Sequence, residues 1–207
     1  MDRAAALLSK AIDAGYKDLA HIEKDSDLDP IRDRADFKNH LKRIEASNFV
    51  VSAGIKSKSG DYPGAIRDYD EAIKIDSKSA MAFGNRGWEK HVMKDYVGAP
   101  QDYDEAIRLD PKGTNPTVNK AFLLATADDE SLRNPELSLS MAEGVLSGDL
   151  TDAFAMNAKS YALAAKGDFQ KAIEWQNMAL ANANWPKSVR NRRRSSPKGS
   201  HRGLGKK

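Results

Sequence analysis

The sequence predicts an all-α protein assembled from stacked helix–turn–helix repeats. Three observations carry that prediction. The six residues DYDEAI occur twice, at 68–73 and 102–107, a spacing of 34. Within each copy the apolar and small residues (Ala65, Tyr69, Ala72, Ile73; Ala99, Tyr103, Ala106, Ile107) fall at i, i+4, i+7 and i+8, one face of an α-helix. A turn signal stands before each copy: Ser59-Gly60-Asp61 and, one period on, Asp95-Tyr96. Glycine suits a left-handed helix end and aspartate an N-cap. One such pair of helices cannot bury its apolar face alone, so pairs must stack.

The elements follow in order. Residues 1–45 read as an N-terminal helical segment, with 2–14 and 29–45 as helices, the second capped by Asp29 with Pro30 at its first position. Units are placed at 46–79 and 80–113. A third, 114–152, carries about five extra residues in the polar stretch DDESLRNPE, by the repeat register. A fourth, 153–185, contains GDFQKAIEWQNMAL, with Ala172 and Ala179 on the packing face. Residues 186–207 hold nine Lys/Arg and no acid, whereas residues 1–185 hold 24 basic groups against 30 acids, a net of −6. The tail has too little apolar area to offset chain entropy and is expected to be disordered.

With its period of 34, the pattern resembles the tetratricopeptide repeat (TPR) family. The residues that carry the resemblance are Ala53/Gly87, Ala65/Ala99, Tyr69/Tyr103 and Ala72/Ala106, with Pro111 closing the second unit. LLATADDESLRNPELSLSMAE and the N-terminal GYKDLAHIEKDSDLDPIRDRADFKNHL look like repeat proteins common in planctomycete bacteria, where such an N-terminal segment usually closes a run. Lys56 and Lys90 depart from the family, which prefers tyrosine there, and Pro100 lies in the first turns of a second helix. The resemblance implies a right-handed solenoid whose first helices line a concave groove that binds a peptide or protein segment. On that alignment the groove carries Gly54, Trp88, Phe122 and Tyr161 at equivalent positions, together with Asn85, His91, Asn119 and Asn157. Two readings of these residues stand: aromatic anchors and amide clamps for a ligand, or inter-unit core with locally bonded amides. Relatives that clamp chaperone carboxylates use lysine and asparagine where this chain has Val50 and Gly54, asparagine at the position of Asn85, and lysine and arginine where it has Asn115 and Asn119; only Asn85 matches, so that clamp is not expected.

Other chemistry is thinly represented. The absence of cysteine removes disulfides, thiolate metal sites and cysteine nucleophiles. DSDLDPIRDRAD (25–36) spaces its acids like a calcium loop, but Pro30 stands where that loop needs glycine. The four histidines show no metal-ligand spacing, and no nucleophile set or phosphate loop is present. The other carboxylates read as solvated helix faces. The expectation is a non-enzymatic, cytoplasmic interaction scaffold without cofactor or metal. No apolar run approaches the ~18 residues of a membrane span. The alternative is a nucleic-acid-associated protein using Arg190, Arg192, Arg193, Arg194 and Lys198, with repeats for oligomerisation. Ser195-Ser196-Pro197 offers a phosphorylation site that would cancel part of that charge. If the tail makes roughly six phosphate contacts, affinity for nucleic acid falls at least ~10³-fold between 50 and 200 mM salt, measurable by fluorescence anisotropy.

Overall fold

Helix–turn–helix pairs follow one another along the described residues. The computed structural model describes residue 10 and residues 18–182. The proposed helix at 2–14 and the basic tail, with Arg190, Arg192, Arg193, Arg194, Lys198 and the Ser195-Ser196-Pro197 site, lie outside the described residues. Among those residues every regular element is helical: α1 (Leu19–Lys24), α2 (Ala35–Ser59), α3 (Tyr62–Ile75), α4 (Ala80–Val92), α5 (Gly98–Leu109), α6 (Thr114–Thr126), α7 (Pro135–Gly148), α8 (Ala153–Ala165) and α9 (Phe169–Ala181). Contacts divide the chain at Lys120/Ala121, inside α6, into two units.

In the first unit, α2 is one helix of 25 residues that runs straight through position 45. Its N-terminal half covers a small core of Ile22, Ile31, Phe37 and Ile44, and its C-terminal half is the first helix of the first repeat. The start differs from the sequence expectation. Asp25, not Asp29, makes the cap, and it opens a 3-10 turn, Ser26–Ile31, with Pro30 inside. Arg32 explains the change. Its guanidinium donates to Asp29 Oδ1 at 2.5 Å and to the Asp25 carbonyl at 2.8 Å, which folds the acidic segment onto itself before the α-helix begins.

The repeated turns obey one rule. Gly60 sits at φ +86°, and the N–H of Asp61 reaches back to the Lys56 carbonyl at 2.9 Å. This six-to-one bond closes the helix end in a left-handed turn. Asp61 then caps α3 by accepting from the Gly64 N–H at 2.9 Å. The second copy repeats both bonds, Asp95 N–H to the Lys90 carbonyl and Gly98 N–H to Asp95, but places Lys94 at φ +63° where the first has glycine. Helix α5 begins at Gly98, so Pro100 falls in the first turn, where its missing N–H leaves no helical bond unmade.

The packing face holds what the periodicity placed there. Ala65, Ala72, Ala99 and Ala106 are fully buried and Tyr69 and Tyr103 nearly so. The closeness of approach is visible at Gly87, where an added Cβ would lie 2.9 Å from the Tyr103 ring. The acids of DYDEAI correct the sequence reading of solvated carboxylates. Asp68 and Asp102 are buried. Asp68 accepts from Ser52 Oγ at 2.6 Å and from Lys56 Nζ at 2.7 Å. Asp102, one period later, accepts from Arg86 at 2.6 and 2.8 Å and from Lys90 Nζ at 2.8 Å. The two lysines that depart from the family pattern are thus the partners of the two repeated aspartates.

In the second unit, the polar stretch after α6 forms a 3-10 turn, Glu130–Leu132, tied down by Arg133 Nε donating to the Ala127 carbonyl at 2.9 Å. Asn134 caps α7. Ser138 occupies the small-residue position of Ala65 and Ala99; it is buried and its Oγ donates to the Ala121 carbonyl at 2.6 Å. In α8 and α9 the buried Ser160 and Gln176 replace the glycine–tyrosine contact with a 2.9 Å hydrogen bond.

Removing a buried carboxylate strands the cations that it holds. Asp102→Ala is therefore expected to lower stability by about 3–5 kcal/mol in urea unfolding. Asp68→Ala should lower it less, because the Lys56 side chain is more exposed than those of Arg86 and Lys90.

Candidate functional site

The first helix of each repeat carries the side chains singled out from sequence. In the first unit the opening turns of α4 and α6 leave a recess of about 200 Å³. Met81, Gly84 and Asn85 from α4 and Asn115, Pro116 and Asn119 from α6 line it, with Asp110 and Gly113 from the intervening turn. Asn85 and Asn119 are brought together as the 34-residue spacing implied. Met81 and Asn115 complete the recess; Asn115 figured in the sequence reading only as a departure from the carboxylate clamp. Their signal was positional: Met81 precedes Asn85 by four residues and Asn115 precedes Asn119 by four, one helical turn on the same face.

Each amide has a definite setting. Asn85 is exposed and its side chain hydrogen-bonds the Tyr69 hydroxyl, whose pKa is pushed up by burial and by the nearby Glu89, against that bond. Asn119 is half-buried. No lysine or arginine lines the recess. Arg86, next to Asn85, is committed to Asp70 and Asp102, Lys120, next to Asn119, to Asp104, and Lys56 and Lys90 to Asp68 and Asp102.

Trp88 and His91 lie further along α4 and do not line the recess. Their rings meet edge-on with centroids 5.8 Å apart. His91 is half-buried, and burial pushes its pKa below the usual imidazole value. Trp88 keeps part of its surface open to solvent. In the second unit, Phe122 and Tyr161 also meet edge-on, 5.0 Å between centroids, and both are half-buried. Asn157 is half-buried and its carbonyl accepts from Ser160 Oγ. These contacts give the aromatic residues an internal packing role alongside whatever surface they present.

Glu89 is the feature that sequence reading missed. It is almost fully buried on α4, and its Oε2 has no hydrogen-bond partner. One period later the same position is Leu123, which is also buried. Burial pushes the Glu89 pKa up, only partly offset by a hydrogen bond with Ser57. Burial, followed by the fields of Glu89 and Asp102, pushes up the pKa of the Tyr103 hydroxyl, which also lacks a partner. A second recurrence links successive repeats. Arg86 donates to Asp70 at 2.6 Å, Lys120 pairs with Asp104, and Lys159 donates to Glu143 at 2.7 Å, each pair 16 residues apart. Lys159 also sits 4.2 Å over the Trp175 ring, where Arg86 has Asp102.

Among the described residues no group of three His, Asp or Glu converges to hold a metal ion, and no helix is long and apolar enough to cross a membrane.

Comparison with known proteins agrees with the helical-repeat fold. Residues 130–189 match the tetratricopeptide repeat family model. No curated protein matches the chain. Among solved structures, a double mutant of MamA from strain RS-1 superposes with TM-score 0.54 at 19% identity, over 73% of this chain and 86% of that one. The MamA fragment 41-end from Desulfovibrio magneticus RS-1 gives 0.53 at 17% identity, over 95% and 99%. YrrB, described as a TPR protein with an unusual peptide-binding site, gives 0.54 at 19% identity, over 77% and 75%. At these identities the likeness is one of fold.

The Glu89→Gln variant is expected to be more stable than the wild type near pH 7. The sign follows from the raised pKa in the folded state. Below the ordinary carboxylate range the group is protonated folded and unfolded, and it contributes no difference. As pH rises from the unfolded value through the raised folded one, burying the charge becomes unfavourable, fully so above the folded value. Thermal melts of both proteins across that range should converge at low pH and separate towards neutrality.

Proposed function

We propose that this chain is a tetratricopeptide repeat protein and an interaction scaffold that holds a peptide segment of a partner protein against its first helices. The observation that carries the reading is the α4–α6 recess, with an asparagine from each helix facing one opening. Its volume of about 200 Å³ is below the ~300–1,000 Å³ of ordinary small-molecule sites. It suits one apolar side chain with the backbone around it.

The chemistry of the lining defines the ligand. An asparagine amide offers two donors and an acceptor, the complement of a peptide unit. Asn85 spends one bond on Tyr69 and keeps capacity for another. Met81, two-thirds exposed, supplies an adaptable apolar rim. The only charged lining residue is Asp110, which disfavours acidic ligands and a free C-terminal carboxylate. The peptide is thus bound internally along its sequence, through backbone amides and an apolar side chain. Trp88 extends the apolar surface along α4, and Phe122, Asn157 and Tyr161 form the corresponding surface of the second unit. YrrB, which shares the fold, is described as binding peptide.

The test is selection of displayed peptides on the full chain, followed by titration calorimetry of a selected peptide. Asn119→Ala removes a ligand hydrogen bond and should weaken binding by ~3–10-fold, with the exposed Ser140→Ala unchanged as a control. A selected peptide that binds Asn119→Ala and Met81→Asp as tightly as wild type would sink the assignment. Peptides that are uniformly acidic, or that lose affinity when residues 186–207 are deleted, would point instead to the basic tail.

A further inference from the structure

Among the described residues the same positions are covered in the internal repeats and open in the first and the last. On the second helices, Tyr62 and Ile66, Tyr96 and Pro100, and Pro135 and Leu139 are equivalent pairs, and all are half-buried. The equivalent pair on the last helix, α9, is Phe169 and Ile173, which are 65% and 56% exposed. On the first helices, Glu89, Leu123 and Ala162 are equivalent and buried. Glu89 shows what this position faces: the Ser57 and Tyr69 of the preceding repeat. The equivalent residue of the first repeat is Ile55 on α2, 65% exposed, with Val51 one turn before it at 49%. The chain therefore presents an apolar front face on α2 and an apolar rear face on α9. Each has the shape of half of a repeat–repeat junction.

The charges at these faces follow the same logic. Each junction that carries an ionic link has an acid on the second helix and a cation 16 residues later: Asp70 with Arg86, Asp104 with Lys120, Glu143 with Lys159. At the rear face the acid position is Asn177, and at the front face the cation position is Ser52. Both are neutral. Neither leaves a charge to be stranded when the face is covered, and an amide can donate to a hydroxyl oxygen that itself donates to Asp68.

We infer that the rear face of one copy, around Phe169 and Ile173, docks on the front face of another, around Val51 and Ile55, so that the protein associates head to tail. The occupant is a second copy because the two faces are complementary halves of the junction that this chain already builds internally. The contact is heterologous, using different patches on the two copies, and so propagates rather than stopping at a pair.

The test is sedimentation velocity on the full-length chain, wild type and two variants, with circular dichroism to confirm that each variant folds. The wild type is expected to show a mass that climbs with concentration beyond the 22.7 kDa monomer. Ile55→Asp spoils every front face and Ile173→Asp every rear face, so each alone should be monomeric. Mixing the two restores one good front with one good rear and should give a dimer of one of each, and nothing larger. A wild type that stays monomeric at millimolar concentration overturns the inference. So does a dimer formed by either variant alone, which would mean front-to-front or rear-to-rear pairing. Association that high salt abolishes and that both variants retain would assign it to the basic tail, and overturns it equally.

Discussion

Asp102 is a carboxylate taken out of water and held between two cations of the facing helix, Arg86 and Lys90. A buried carboxylate without partners would be strongly unfavourable, so its position fixes where α4 must lie against α5. Asp68 does the same for α2 and α3 with Lys56 and Ser52, one period earlier. Burial alone would raise the Asp68 pKa, but the hydrogen bonds from Lys56 and Ser52 outweigh it and hold the carboxyl below its usual range. Alanine and glycine at the crossing let the helices approach; the buried acid sets their register. In the last repeat Trp175 stands at the acid position with Lys159 over its ring, and the cation is kept while its partner changes from a charge to a π-face.

These ion pairs also shape the surface on which ligand binding is proposed. Each first-helix cation that reaches Asp68 or Asp102 is withdrawn from the ligand side. What remains around the α4–α6 recess is amide and thioether, with little charge. The same helix therefore carries a charged face for assembly and a neutral face on which recognition is proposed. Glu89 is the exception on α4: it is an acid at a packed position, and its burial leaves one oxygen unsatisfied. Leu123 shows that an apolar residue serves that position.

Much of the fold was legible in the sequence. The 34-residue period, the buried alanines and tyrosines, and the Gly60-Asp61 turn were all readable because local geometry decides them. The pairing of Asn85 with Asn119 was readable because helices one period apart present the same side. The role of the acids was not. A carboxylate at i of a helix looks the same in sequence whether it meets water or a facing lysine, and Asp68 stands between the exposed Arg67 and the buried Tyr69, neighbours that fit either setting. The start of α2 was misplaced because Asp29-Pro30 reads locally as a helix start. Arg32 reaches back to Asp29 and to the Asp25 carbonyl and holds that segment in a 3-10 turn, so α2 begins only at Ala35, without a side-chain cap.

The sequence by itself determined the secondary structure, the turn chemistry and the spacing at which helices recur, since these rest on side-chain periodicity and backbone preference within a few residues. The tertiary structure decided which of the recurring residues are partners: Lys56 with Asp68, Lys90 with Asp102, Arg86 with both Asp70 and Asp102. It also decided which apolar residues are covered, leaving Ile55 and Ile173 open where Leu123 and Ile66 are not. Those outcomes depend on which helix stands opposite, and burial is a property of the neighbour as much as of the residue. A repeat announces its own fold in its own letters, but its charges acquire meaning only once the adjoining repeat is in place.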